Sequence, residues 1–380
     1  MRVTYVTRFS PAHCGIAEYA RYLTSELIKF RQVDVICVYG NAEAKATRHG
    51  KLRVIPVFNE KIEGYYRELE KVLRSKEPLI HVQFEYGVFH ADECPLKLVE
   101  VLREKTDKLV ITMHSVSHFK RGGKWVEIQS FFGEQADAII VHNMMQAFEL
   151  IVQGVSPKKV HVIPHGTKVF RVLPREEAFR ALKLEGIEGK RVILFMGFIR
   201  SDKGLIELME AFELVKKEVR DVKLVIAGKE QFLTSQDVDY ARVVLRRAKE
   251  TEGVTLINEY LNDEKIELLL SVADVVVFPY RLFKPGEEYY SVSGALHLAM
   301  GAGKVIVASK VPKMAEYYEL VPELTYTPGD TDELAEKTVK ALTDGELREL
   351  AMRRVLKYRE ETRWEKVAKE HLKLYKKLLG

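Results

Sequence analysis

Phe195-Met196-Gly197-Phe198-Ile199-Arg200-Ser201-Asp202-Lys203-Gly204-Leu205 is the stretch that decides the fold. A β-branched and aromatic run, Val192 to Met196, ends at Gly197; two cations follow, and an apolar-periodic helix opens at Leu205. A strand that feeds a helix through a short loop is the repeating unit of a parallel sheet, and its loop lies at the strand's carboxyl end, where such sheets bind ligands. Arg200 and Lys203, placed just ahead of a helix N-terminus, have the charge to neutralise a phosphate; a solvated surface pair is the alternative reading.

The same alternation fills the chain on both sides. Upstream lie the strand candidates Val3–Thr7, Val33–Val38, Leu52–Phe58, Leu79–Phe84, Leu109–Met113, Ala138–His142 and Val160–Ile163, several apolar on both faces as buried parallel strands must be. Downstream of Val192–Met196 come Val222–Ala227, Val254–Ile257, Val275–Phe278, Val305–Ala308 and Leu324–Tyr326. Between the two sets, the charged and turn-rich stretch 164–190 holds Pro164-His165-Gly166 and Pro174, which puts the hinge near residues 165–175. The sequence therefore predicts an α/β chain of two doubly wound domains, 1–168 and 169–355. The tail repeats Trp364, Val367, Ala368, Leu372, Tyr375 and Leu379 at helical spacing, so 356–380 is predicted to be an amphipathic helix packing back on the first domain.

Composition sets limits. A chain of 380 residues exceeds what one core usually serves, and 47% hydrophobic with 30% charged residues excludes disorder. No stretch long enough to span a bilayer is free of charge, and Arg2 leads straight into Val3–Val6 without a signal-peptide core, so the expected location is cytoplasmic. Three cysteines at wide spacing predict free thiols. A net charge of +5 is too mild for a dedicated nucleic-acid binder and compatible with anionic small ligands or an anionic membrane surface. Lys, Arg and Glu dominate while Asn and Gln are scarce, a thermophile-like balance.

The remaining strand-end loops carry further candidates. Thr7 to Ile16 is too long and too poor in glycine for a GxGxxG dinucleotide turn, which argues against a dehydrogenase. Gly15 opens a helix whose amides suit an anion, or serves only the turn. His114 ends the fifth strand as a ligand, a catalytic group or a satisfied structural histidine; its spacing from His118 does not hold metal geometry in a strand-to-loop setting. Glu85 either meets substrate hydroxyls or caps a turn. After Pro279-Tyr280, residues Ser291 to Ala295 read as a helix start with amides for phosphate, and Glu287 or Glu288 as sugar-hydroxyl ligands or solvated carboxylates. Asp237-Val238-Asp239 invites a divalent ion but sits amid polar loop residues, so no metal site is expected.

Taken together, Cys14-Gly15-Ile16-Ala17, Gln83 to Gly87, Thr112 to His114, Ile163-Pro164-His165-Gly166, Lys203-Gly204, Pro279-Tyr280, Ser293-Gly294 and the Trp364-Glu365-Lys366-Val367 helix resemble the family-4 retaining glycosyltransferases of GT-B architecture, in a branch with a Cys-Gly-Ile-Ala opening. The resemblance implies two Rossmann-like domains facing across a cleft, a nucleotide-sugar donor on the second and a sugar or lipid-linked acceptor on the first, with no cofactor, no metal and no nucleic acid. It implies catalytic roles for His114, Arg200, Lys203 and Glu288. Donor contacts would come from Gly15, Gly197, Arg200, Lys203, Ser291, Val292, Ser293, Gly294 and Glu316, and acceptor contacts from Glu18, Glu85 and Tyr86. The hexose is expected from a GDP-mannose or a UDP- or ADP-glucose type donor. Basic clusters at Arg48–Arg53 and Lys120–Lys124 allow peripheral contact with a membrane.

Two positions depart from the family pattern. Its pair of glutamates falls on Tyr290 and Leu298, and Phe198 stands where many relatives carry an arginine, leaving Arg200 to reach the diphosphate. A sugar-nucleotide-binding protein without catalysis, or a nucleotide-sugar epimerase, would share this sequence pattern.

Overall fold

A computed structural model describes residues 1–59, 64–89, 94–184, 186–232, 234–282 and 288–380. The chain divides into two units: one comprises residues 1–166, 288–292 and 362–380, the other 167–282 and 293–361. The first division falls at Gly166/Thr167, two residues before the boundary read from the sequence, and the later ones at 292/293 and 361/362.

Unit 1 is built on β1 (Arg2–Thr7), β2 (Val35–Asn41), β3 (Thr47–His49), β4 (Leu52–Phe58), β5 (Glu77–Phe84), β6 (Thr106–Met113), β7 (Ser115–Ser117), β8 (Ala138–Val141) and β9 (Val160–Val162). Unit 2 carries β10 (Arg191–Met196), β11 (Val222–Ala227), β12 (Val254–Ile257) and β13 (Val275–Phe278); β14 (Tyr289–Ser291) then belongs to unit 1, before β15 (Ile306–Ser309) and β16 (Thr325–Tyr326) complete unit 2. The large sheets run β3-β4-β2-β1-β5-β6-β8-β9 and β12-β11-β10-β13-β15-β16. In each, the first strand of the unit lies inside and the order reverses beside it, as in doubly wound folds. Pairing is parallel except at β3, a fully exposed edge strand antiparallel to β4. Arg48 and Arg53 face each other across that edge, where charge discourages pairing with another chain.

Several expectations are corrected. The Thr47–His49 edge strand escapes sequence reading because it is short and polar. Ser291 is not helical: Tyr289–Ser291 pairs antiparallel with Ser115–Ser117, and the helix runs Gly294–Gly301 with Ser293 capping Leu296 N–H. Asp237 lies in the helix Ser235–Glu250, forming a capping box with Thr234, rather than in a loop. The tail is two helices, Gly345–Thr362 and Trp364–Leu379, separated by Arg363 in extended conformation (ψ 145°).

That break serves packing. Trp364, Val367, Ala368, Leu372 and Tyr375 are buried in the same core as Val3, Tyr5 and Leu23, so the second tail helix completes unit 1. Gly166 is required beneath it, since a Cβ there would lie 2.2 Å from the Trp364 ring. No helix among the described residues is long and apolar enough to cross a membrane.

Candidate functional site

In unit 2 the loop after β10 gathers charge around one carboxylate. Arg200 forms a two-pronged ion pair with Asp202 (Nε–Oδ1 2.6 Å, Nη2–Oδ2 2.8 Å) and donates to Gln231 Oε1 (3.0 Å). Lys203 lies 3.3 Å from Asp202 Oδ2, and its ammonium sits 3.7 Å above the Tyr280 ring. Burial works against the Asp202 carboxylate, but Lys203 and Arg200 outweigh it and hold the acid well below its usual range. Burial lowers Lys203 well below the usual lysine range, with Asp202 opposing. Lys313, just after β15, adds a third positive charge acting on Asp202, Lys203 and Tyr280. Three cations around one carboxylate leave an excess charge suited to a diphosphate.

The loop is held from several sides. Asp237, from the triplet that suggested metal, accepts from Ser201 N–H (3.1 Å) and Ser201 Oγ (2.6 Å). The Tyr240 hydroxyl oxygen accepts from Leu205 N–H (2.6 Å) at the start of the helix Leu205–Glu218. Gly204 has φ +64°, and a Cβ there would meet the Pro279 carbonyl oxygen at 1.8 Å, so only glycine fits. Gly197 is likewise at positive φ (146°). Ser293 and Gly294 begin the helix after the crossover, with Tyr280 hydroxyl 3.4 Å from Ser293 Oγ. Glu316 is buried with His297 Nε2 4.0 Å away. Burial pushes its carboxyl up to about 8, offset only in part by its own backbone N–H, so Glu316 carries a proton at neutral pH.

In unit 1 Gly15 opens the helix Gly15–Leu27. No atom crowds its Cβ position and its φ is not positive, so the turn alone does not demand glycine there. Glu18 pairs with Arg21 (2.9 Å). Glu85 accepts from Ser115 Oγ (2.7 Å). Tyr86 is buried and its hydroxyl donates to Gln129 Oε1 (3.0 Å), a packing role. Glu288 lends its backbone carbonyl to His118 N–H (3.0 Å); Ser291 is buried in β14 and Val292 follows it. Glu287 lies outside the described residues. Unit 1 thus holds His114, Gly15, Glu18, Glu85, Tyr86, Glu288, Ser291 and Val292, and unit 2 holds Gly197, Arg200, Lys203, Ser293, Gly294 and Glu316.

His114 is buried in a chain of hydrogen bonds that sequence reading did not anticipate. Tyr5 and Tyr375 hydroxyls lie 2.6 Å apart, and Tyr375 reaches His81 Nδ1 at 2.6 Å. His81 Nε2 contacts Thr112 Oγ1 (2.7 Å) and Gln83 (3.2 Å), Gln83 contacts His114 Nε2 (2.8 Å), and His114 Nδ1 contacts His142 Nε2 (3.1 Å). The last link fixes the direction. His142 Nδ1 lies 3.1 Å from the Ile163 carbonyl, which only accepts, so Nδ1 donates and a neutral His142 accepts at Nε2. His114 then carries its proton on Nδ1 and accepts at Nε2, which the Gln83 amide satisfies with its two ends exchanged, NH₂ toward His114 and oxygen toward His81. With the Gln83 oxygen at its present place beside His114, either His114 or His142 would have to donate from both nitrogens as a buried cation. Burial opposes both, lowering His142 to about 4 and His114 well below the usual range. Burial likewise drives His81 and His114 well below the usual histidine range.

Both His114 ring nitrogens are therefore engaged inside unit 1. Gln83→Glu is expected to change this: a carboxylate accepts only, so His114 must donate from Nε2 and gains a counter-charge. In ¹⁵N-histidine NMR the His114 ring should become protonated at both nitrogens near neutral pH, whereas the wild-type ring stays neutral there.

With this geometry in view, two family matches divide the chain. Residues 14–169 match Glycosyltransferase Family 4, and residues 190–344 match Glycosyl transferases group 1. The chain is a glycosyltransferase of the GT-B fold, built from a family-4 domain followed by a group-1 domain. It is 23% identical over 283 residues to lipopolysaccharide 1,2-N-acetylglucosaminetransferase of Salmonella typhimurium, covering 72% of this chain and 68% of that one. It is 26% identical over 262 residues to MMP alpha-(1->4)-mannosyltransferase of Mycolicibacterium hassiacum, covering 67% and 58%. Among solved structures, Anabaena HepE in complex with UDP and glucose superposes with a TM-score of 0.74 at 16% identity, over 99% of this chain and 100% of that one. Sucrose-phosphate synthase from Thermosynechococcus elongatus gives 0.74 at 18%, over 100% and 99%.

Proposed function

We propose that the chain transfers a hexose from a nucleoside-diphosphate sugar to a sugar or lipid-linked acceptor with retention of anomeric configuration. The observation that carries this reading is the cluster of Arg200, Lys203 and Lys313 about Asp202 at the carboxyl end of β10. The diphosphate would replace part of Asp202's hold on these cations. In the reaction the bond from the sugar C1 to the β-phosphate oxygen breaks with its electron pair on phosphate. The acceptor hydroxyl oxygen bonds to C1 on the same face, and its proton passes to the departing phosphate. Arg200 and Lys203 stabilise the charge that develops there. This route needs no protein nucleophile and no metal. It agrees with Tyr290 and Leu298 at the positions of the family glutamates and with Glu316 being a neutral acid at pH 7. The names of the two relatives support N-acetylglucosamine and mannose beside glucose as sugars to try.

The test is calorimetric titration of GDP-, UDP- and ADP-sugars against wild type and Lys203→Met. Lys203 is buried at the expense of its charge, so Lys203→Met should keep or raise the melting temperature while weakening the preferred donor by about tenfold to a hundredfold. Binding followed by turnover on adding acceptor supports a transferase. Tight binding without hydrolysis or transfer would assign a sugar-nucleotide-binding protein, and release of a free epimer without acceptor an epimerase.

A further inference from the structure

The helix Met144–Val152 in unit 1 packs Ala147 and Leu150 into the core and buries its two polar residues beside them, leaving its other apolar side chains outward. Gln146 and Glu149 are buried, while Met144 is 69% exposed, Phe148 67% and Val152 52%, with Met145 and Ile151 also exposed. In a chain that is 30% charged, this exposed face carries no charge at all. The burial of the two polar residues has a structural cause. Glu149 accepts from Phe119 N–H (2.7 Å) and from Gln153 Nε2 (2.7 Å), and Gln146 donates to the Met113 and His114 carbonyls (3.3 and 3.1 Å). These bonds pin the turn Phe119–Arg121 beside the helix, with Phe119 itself 48% exposed.

Cations lie in that turn and follow the turn and the helix in sequence. Lys120 and Lys124 are exposed, Arg121 lies 3.6 Å over the Trp125 ring, and Lys158 is exposed beyond the helix C-terminus. The apolar side chains together present on the order of 500 Å², at the upper end of what a monomer leaves in water. A standard protein–protein interface buries about 800 Å² per partner, more than this nine-residue helix and its neighbouring turn supply. A bilayer surface asks for less: a few apolar side chains inserted at the headgroup boundary, with lysine and arginine against anionic lipid.

We propose that the face formed by Met144, Phe148, Val152 and Phe119, with Lys120 and Lys124, docks unit 1 onto an anionic phospholipid bilayer. The docking deepens the transferase reading by bringing a lipid-linked acceptor to the enzyme, but it is measured without donor or acceptor. In sedimentation with phosphatidylglycerol-containing vesicles, wild type pellets at low salt and is released at high salt; with phosphatidylcholine alone it stays in solution. Phe148→Glu and Met144→Ser each lower the partition coefficient, Phe148→Glu by at least about tenfold. The double variant Lys120→Glu/Lys124→Glu does the same on anionic vesicles only. Arg48→Glu/Arg53→Glu, on the edge strand, leaves binding unchanged. Melting temperatures of the Phe148, Met144 and Lys120/Lys124 variants should match wild type, since those side chains are exposed. The proposal is overturned if wild type fails to pellet at low salt or if Phe148→Glu pellets as well as wild type. It is equally overturned by a concentration-dependent dimer that Phe148→Glu abolishes without any vesicle binding. Calorimetric donor binding on the same variants should be unchanged. Absence of donor binding in wild type would count against the transferase reading and leave the vesicle result standing.

Discussion

Acidification from pH 7 to pH 5 is expected to unfold unit 1 before unit 2. His81, His114, His142 and His371 are buried in unit 1 and His165 is half-buried there, and burial lowers each, His142 and His371 to about 4 and His165 to about 3. In the unfolded chain these imidazoles take up protons as pH falls through about 6.5, while in the fold burial keeps all five below that value. The unfolded state therefore binds more protons as pH falls below about 6.5, and stability falls with it. Each histidine costs about 1.4 kcal/mol per pH unit well below 6.5, so His142, His165 and His371 together withdraw on the order of 6 kcal/mol by pH 5, and His81 and His114 act in the same direction. That is comparable to the whole stability of an ordinary domain.

Glu316, in unit 2, has the opposite sign. Its folded pKa of about 8 lies above the unfolded value, so it gains stability as pH falls from 8 toward 4.5, roughly 2–3 kcal/mol between pH 7 and 5. Scanning calorimetry at pH 7 and 5 should show one transition moving sharply down and the other rising by several degrees. Cys14, Cys37 and Cys94 all lie in unit 1, so labelling with an acid-tolerant disulfide reagent reports on that unit alone. An unchanged melting profile at pH 5, with Cys37 still protected, would refute the neutral imidazole chain.

The second large effect is expected from Gly204→Ala. The left-handed backbone costs a non-glycine residue about 1–2 kcal/mol, and the added methyl would stand 1.8 Å from the Pro279 carbonyl oxygen, so the backbone of one loop must move. A loss of about 3–5 kcal/mol in urea unfolding of unit 2 is expected, with donor affinity falling because Lys203 and the Tyr280 ring beneath it share that junction. Gly15→Ala, where no atom crowds the new methyl, should leave stability within about 0.5 kcal/mol and so reports on ligand contact alone. Equal stability of Gly204→Ala and wild type would show that the loop does not need its present path.

The two parallel sheets were legible because buried parallel strands are apolar on both faces, as in the runs Val192–Met196 and Val275–Phe278. Arg200 and Lys203 were legible for a related reason: cations at a strand end ahead of a helix have few structural uses. What sequence reading missed depends on partners far apart along the chain. Asp202, Lys313 and Tyr280 become one cluster only when β10, β13 and β15 lie side by side. Ser291 reads as a helix start until its strand finds Ser115, and Asp237 as a loop residue until its capping box with Thr234 is seen. The histidine chain links Tyr5 to Tyr375, and no local pattern marks it. The outward apolar face of Met144–Val152 was not legible either, because the helix is apolar on both faces and such a run does not show which of them is turned inward.

The tail helix Trp364–Leu379 has a consequence for the order in which the protein can be made. It supplies Trp364, Leu372 and Tyr375 to the core beneath β1, and Tyr375 is a link in the chain that reaches His114. A ribosome delivers those residues after all of unit 2. Unit 2 is complete in sequence before residues 362–380 are added, but unit 1, begun first, must wait with its hydrophobic floor open until they emerge. The unit begun first is thus completed after the one begun second, and a chain cut off after residue 361 should present unit 2 folded to a protease and unit 1 open to cleavage.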